Sequence, residues 1–308
     1  MRIVFFGTPD FASASLSALV DHGHHVVAVV TATDKLGGRG GKKVLQSDVK
    51  RLASELDIPV LQPPNLKNPT FVASLETLKA DIFIVVAFRM LPEVVWSMPR
   101  LGTMNIHGSL LPKYRGAAPI NWAIIRGEKE TGVTSFFLKH AIDTGQIFET
   151  LSTPIGPDQT FGEVYDQLKI LGGQVLLNSL ERIAKGDLSA VEQDESLVTH
   201  APKIFHDDCQ IDFTDSAKQI HDFVRGLSPW PCAWTLLDGE KCKVYRTSYE
   251  QLEHRHDIGC IIKTKNSFSI AVEDGLVHLL DIQLQKRKRM DIKSFLNGWK
   301  GGVSIIGK

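Results

Sequence analysis

The run Asp81-Ile-Phe-Ile-Val-Val-Ala87 constrains the fold more than any other segment. Every position after the aspartate is apolar, as expected of a central parallel strand with helices packed on both faces. The neighbouring sequence supplies such helices and further strands. Ile3 to Phe6 reads as a first strand, and Leu16, Leu19 and Val20 give the next segment a helical stripe, opened near Pro9 and closed by Gly23. His25 to Thr31 is a second strand. Val49, Leu52, Ala53 and Leu56 repeat at helical spacing, Ile58 to Leu61 returns to the sheet, and Asn68-Pro69 opens a helix carrying Phe71, Val72, Leu75 and Leu78. Gly102 to His107 and Gly132 to Leu138 are further strands, with a helix opened by Pro119 between them. Thr160-Phe-Gly-Glu163 is a capping box that starts a long helix through Val164, Leu168, Leu171, Val175 and Leu180. Gly172-Gly173 inside it predicts close packing or a break, because each glycine costs about 1 kcal/mol relative to alanine. The alternation predicts an α/β domain with a Rossmann-like, mostly parallel sheet.

The pattern changes after about Lys185. Residues 185–205 are polar and aperiodic, as in a linker, and 206–308 hold closely spaced strands at Cys242 to Ser248, Gly259 to Thr264, Phe268 to Val272 and Leu276 to Leu284. Short helices are expected at Ser216 to Arg225 and Asp291 to Trp299. This part reads as a small antiparallel β-barrel of the oligonucleotide-binding (OB-like) type. The expected division is therefore 1–184, a linker 185–205, and 206–308, which suits a chain of 308 residues.

Composition narrows the function. Lys+Arg and Asp+Glu both number 35, so a nucleic-acid partner must be held by local basic clusters rather than by an overall excess of charge. No segment reaches the roughly 20 apolar residues of a membrane span. The apolar start Met1 to Phe6 ends at Gly7-Thr-Pro-Asp10, too soon for a signal peptide, and a cytoplasmic location is expected. Cys209, Cys232, Cys242 and Cys260 lie far apart without zinc-ligand spacing, so reduced thiols and no metal site are expected.

Ligands of an open α/β sheet bind at the carboxyl ends of its strands. The turn Gly7-Thr-Pro-Asp-Phe11 lacks the glycines a pyrophosphate needs, which argues against a dinucleotide site. At the end of the fifth strand, Asn105 and His107 lie two residues apart and project to one side. An uncharged amide donor beside a group that titrates near neutrality suits a carbonyl that gains negative charge. Asn-x-His alone is also the mark of a satisfied buried histidine beside a turn. Asp143, in Ile142-Asp-Thr-Gly145, follows the next strand and could hydrogen-bond His107, and is equally an ordinary turn residue.

Asn105, His107, Ser109-Leu-Leu-Pro112, Arg115-Gly116 and Asp143-Thr-Gly145 together resemble the active site of the folate-dependent formyltransferases. Phe5-Phe-Gly-Thr-Pro-Asp-Phe11, Gly116-Ala-Ala-Pro-Ile120 and Arg225-Gly-Leu-Ser-Pro-Trp-Pro231 extend the likeness over essentially the whole chain. The resemblance implies formyl transfer from 10-formyltetrahydrofolate to the α-amino group of methionine on initiator tRNA, by a monomer. Asn105, His107 and Asp143 would be the catalytic trio, with no covalent intermediate. It places the folate against Ser109, Leu110, Leu111 and Pro112 and against Phe88, Arg89, Met90 and Leu91. The family pattern has a glycine near Arg89, so a cation here would narrow the pocket or reach the folate glutamate; core contacts and a solvated edge charge would explain the same residues. For tRNA it points to Lys35, Arg39, Lys42 and Lys43 in a Gly-rich loop and to Lys286, Arg287, Lys288 and Arg289. Solvated connections would carry the same charges. A formyltransferase acting on a sugar-nucleotide amine and a non-catalytic tRNA-binding protein are the alternatives, the basic 35–43 loop favouring tRNA. A glycinamide ribonucleotide formyltransferase would lack residues 206–308.

Overall fold

The computed structural model describes residues 1–37 and 43–299. The chain divides into two compact units that do not follow chain order. One comprises Met1–Gly116, Gly132–Thr153 and Tyr165–His200; the other comprises Ala117–Thr131, Pro154–Val164 and the chain from Ala201 onward.

The first unit is built on a seven-stranded sheet: β1 (Arg2–Gly7), β2 (His25–Val30), β3 (Val60–Leu61), β4 (Ile82–Val86), β5 (Thr103–His107), β6 (Glu130–Phe137) and β7 (Ile147–Pro154). Their spatial order is β7-β6-β5-β4-β1-β2-β3. β1 to β5 run parallel, and β6 is antiparallel to β5. All five residues of β4 are buried, as the unbroken apolar run predicts. Val4, Phe6, Phe83 and Val85 pack with Phe71, Leu75 and Val95 on one face, while Ile3, Phe5, Leu16 and Leu19 are buried as well. The helices Asp10–Asp21, Asp48–Glu55 and Pro69–Thr77 lie where periodicity places them, the last capped by the Asn68 side chain.

β2 and β3 lie on one side of β1 and β4 to β7 on the other, so the order reverses between β1 and β4. Ligands of such sheets enter at that switch point. Gly7 ends β1 there, where a Cβ would come within 2.6 Å of Ala12 Cβ and 3.2 Å of Val86 O. Close packing accounts for Gly173 but not for its neighbour Gly172, where a Cβ would make only ordinary contacts. The helix Phe161–Ala184 continues through both glycines, and Cβ atoms there would stand 3.5 Å from Phe11 and 3.1 Å from Ala18.

The second unit contains an antiparallel sheet of strands Ala233–Leu237, Glu240–Gln251, Gly275–Leu284, Phe268–Val272 and Ile261–Lys263 in that spatial order, with Met290–Asp291 against Gly275–Leu284. The helix Ala217–Leu227 starts at a Ser216/Gln219 capping box and buries Ile220, Val224 and Leu227 in the core with Phe268 and Val277. Ala233–Leu237 had no counterpart among the expected strands. Arg225 donates to the carbonyls of Gly156 and Gln159, and Asn121 to that of Gly226, which is how residues 117–131 and 154–164 join this unit. Among the described residues, no helix is long and apolar enough to cross a membrane.

Candidate active site

β5 positions the first two site residues. In parallel register with β4, Asn105 pairs with Val85 and Ile106 with Val86, so the chain leaves both strands at the same end of the sheet. His107 is buried, with its ring edge towards Phe136. Its Nε2 lies 2.9 Å from the Tyr114 carbonyl oxygen. A carbonyl only accepts, so Nε2 carries the proton and Nδ1 is left facing the third residue of the trio. The Tyr114 and Arg115 backbones are themselves fixed by Thr199: its hydroxyl accepts from Tyr114 N–H at 2.9 Å, and its carbonyl accepts from Arg115 N–H at 2.9 Å. Asn105 shares the face of His107, is half-buried, and its amide has no hydrogen-bond partner among the described residues.

Asp143 reaches this point from the loop between β6 and β7. Its Oδ2 stands 3.8 Å from His107 Nδ1, within ion-pair range and beyond hydrogen-bond length. The expected direct hydrogen bond to His107 is therefore not made. Oδ2 instead accepts from Gly116 N–H at 2.9 Å. Asp143 has φ of 55°, in the left-handed region that aspartate tolerates better than most side chains. Gly145 follows because a Cβ at that position would lie 1.7 Å from the Phe137 carbonyl oxygen. The arrangement places an amide donor, an imidazole and a carboxylate where they can serve a carbonyl and a proton together.

The residues expected around the folate divide by environment. Ser109 is fully buried and donates to the Lys113 carbonyl, while Thr134 donates to Ser109 O and accepts from Leu111 N–H. Leu110 and Pro112 are half-buried and Leu111 is buried, so the run is a fixed wall rather than a set of free polar groups. Phe88 packs edge-on against Phe6, and Leu91 sinks into the core, which leaves its backbone for any ligand. Met90 is exposed. Arg89 stacks on Phe88 and donates to the carbonyls of Pro63 and Pro64 at 2.5 and 3.0 Å. The residue is nonetheless exposed, so its charge lies at the surface while two of its donors hold the Pro63-Pro64 backbone.

Lys35 and Lys43 lie on short strands, Lys35–Gly37 and Lys43–Leu45, that pair as a hairpin with Leu36 and Val44 exposed. Arg39 and Lys42 lie outside the described residues. In the second unit, Lys286 lines a shallow cavity of about 230 Å³ with Lys241, Lys243 and Gln283. Lys241 sits 3.5 Å over the Trp234 ring, on which His206 also stacks. Lys286, Arg287, Lys288 and Arg289 are all exposed, and Arg289 is also paired with Asp281 and lies over Tyr245.

Two residues of this site carry no sequence signal of their own. Gln193 and Glu195 lie in the aperiodic stretch 185–205, yet both bind the buried Arg115 guanidinium. The stretch is fastened elsewhere too: Val191 bridges to Ile147, and Arg182 pairs with Asp187, holding that carboxyl well below the usual carboxylate range. Among the described residues, no group of three or more His, Cys, Asp or Glu side chains could hold a metal.

The chain is similar to known proteins over nearly its whole length. A family model described as formyl transferase matches residues 1–180, and its C-terminal-domain counterpart matches residues 203–300. The methionyl-tRNA formyltransferase of Parabacteroides distasonis is 48% identical over 311 residues, covering 97% of this chain and 96% of that protein. The protein of the same name from Bacteroides fragilis is 46% identical, covering 97% and 95%. Among solved structures, the N-formyltransferase of Helicobacter canadensis in complex with folinic acid and dTDP-3-aminofucose superposes with a TM-score of 0.69 at 19% identity, over 92% of this chain and 100% of that one. HypX of Aquifex aeolicus in complex with tetrahydrofolic acid gives 0.65 at 19% identity, over 97% and 47%. These two likenesses concern the fold. With both family models matched in order across nearly the whole chain, the protein belongs to the formyl transferase family.

Proposed function

We propose that this protein transfers a formyl group from 10-formyltetrahydrofolate to the α-amino group of methionine on initiator tRNA, in the cytoplasm. The observation that carries the chemistry is the meeting of His107 Nδ1 and Asp143 Oδ2 at 3.8 Å beside the unpartnered Asn105 amide. The relatives' shared name supports the acceptor.

When the neutral amine attacks the formyl carbon, a C–N bond forms and the carbonyl electrons move to oxygen. Asn105 donates to that oxygen, and so does His107 through Nδ1 in its doubly protonated form, because Nε2–H is already committed to Tyr114. Donors fixed in advance at a developing charge are worth about 100-fold or more each. Asp143 accepts the proton the new ammonium must shed, directly or through one water. The carbonyl then re-forms as the bond to the donor nitrogen breaks, and that nitrogen takes a proton. The folate supplies the formyl group and departs as tetrahydrofolate; Ser109 to Pro112 and the backbone of Phe88 to Leu91 would hold it. Half-buried Phe88, exposed Met90 and the free Asn105 amide fit such a ligand. Lys35, Arg39, Lys42 and Lys43, with Lys286, Arg287, Lys288 and the exposed Arg289, would meet tRNA phosphates.

The test is to supply 10-formyltetrahydrofolate with methionyl initiator tRNA, with a UDP-amino sugar, or with no acceptor. Formyl-methionyl-tRNA is the expected product; formylated sugar alone would overturn the acceptor assignment. Binding of the tRNA should weaken steeply with salt if the basic residues touch phosphates, and a flat dependence would remove them.

A further inference from the structure

We infer that Gln193 is a positioning residue for formyl transfer: its amide clamps the backbone of the Asp143-Thr-Gly145 turn and so sets the separation of the Asp143 carboxylate from the His107 imidazole. The inference rests on the reading of Asp143 as proton acceptor.

The Gln193 side chain is buried and fully satisfied. Its two N–H groups donate to Asp143 O at 2.8 Å and Gly145 O at 2.7 Å, while its oxygen accepts from Arg115 Nε at 3.0 Å and Nη2 at 2.7 Å. Two carbonyls on one side require donors and a guanidinium on the other requires an acceptor. Glutamate would face both carbonyls with an oxygen, and a cation would meet Arg115. The turn needs an outside hold because Asp143 sits at φ 55° and must keep that conformation to aim its carboxylate. The bonds close a ring. Gly116 N–H holds the Asp143 carboxylate, its chain neighbour Arg115 holds Gln193, and Gln193 holds the Asp143 carbonyl. Glu195 anchors the far side of the Arg115 guanidinium with two bonds of 3.1 and 2.8 Å. Rotating the turn therefore breaks several buried bonds at once, each costly to leave unmade.

The test replaces Gln193 by Ala and by Glu, alone and together with Asp143→Asn, in the full chain. Q193E keeps the pairing with Arg115, so it reports on the turn even if Q193A folds poorly. Both single variants should lower kcat about 10- to 100-fold, since misplacing a reacting group by about 1 Å costs that order. KM for folate and tRNA should stay within two-fold. The Gly116 amide should exchange its hydrogen faster than in the parent protein. On the D143N background, either Gln193 change should cost less than a further two-fold. The inference is overturned if D143N is impaired while the Gln193 variants turn over normally, or if their losses multiply with that of D143N. Near-normal kcat for D143N itself would instead remove the proton-acceptor reading, and the positioning role with it.

Discussion

His107 and Asp143 face one another across 3.8 Å, yet opposite means hold them there. The His107 ring is fixed on a strand and by a carbonyl seven residues onward. Asp143 is fixed by an amide 27 residues back and by a glutamine 50 residues onward. One half of the pair sits on a strand and takes its direct contact from a near neighbour in the chain. The other exists only because distant parts of the chain meet, so it should be the half more easily displaced by changes that touch neither residue.

The largest effects test the pair itself. His107→Ala and Asn105→Ala should each lower the single-turnover rate of formyl transfer about 100-fold or more with the fold intact by circular dichroism. Normal rates in both would dissolve the comparison by emptying one side of it. Gly145→Ala attacks the long-range side, where an added methyl would collide with the Phe137 carbonyl. A loss of about 1–3 kcal/mol in denaturant unfolding and a roughly ten-fold fall in kcat are expected; an unchanged rate would mean the Asp143 turn needs no fixed seat. Thr199→Val removes the acceptor for Tyr114 N–H while leaving the Tyr114 carbonyl on His107. Here about 1 kcal/mol of stability and a two- to five-fold change in kcat should follow, and a fall as large as that of G145A would show the histidine to be as dependent on distant contacts as the aspartate.

The smallest effect is expected from the thiols, which belong to neither side. Burial pushes the Cys242 thiol up to about 12 and that of Cys232 up to about 11. At pH 8 both remain protonated, and only the thiolate reacts. Iodoacetamide should label half-exposed Cys260 first and leave kcat unchanged; inactivation tracking a single label would point to a cysteine in the chemistry.

Part of this site could be read directly from residues. Asn105 and His107 share a face because side chains alternate along a strand, and the Thr160/Glu163 box announces its helix through local hydrogen bonds. β7 went unread because Glu149, Thr150, Ser152 and Thr153 interrupt its apolar residues, leaving a half-exposed edge with little pattern. Residues 185–205 look structureless for a related reason. Their bonds run through Asp187, Gln193, Glu195 and Thr199, and polar contacts leave no periodicity. Arg89, expected at the folate or in solvent, is exposed and also donates to two proline carbonyls that no spacing reveals.

What the sequence determined by itself was the alternating α/β order, the all-buried central strand, the helix caps and the change of pattern towards the C-terminus. Each follows from interactions between residues a few positions apart or from one face meeting apolar surroundings. Only the tertiary structure decided that Tyr114 rather than Asp143 orients the imidazole, that Gly116 receives the carboxylate, and that a polar stretch beyond the long helix holds the turn. Such choices depend on which backbone groups remain unpaired after the sheet has formed, and that is settled by packing across tens of residues.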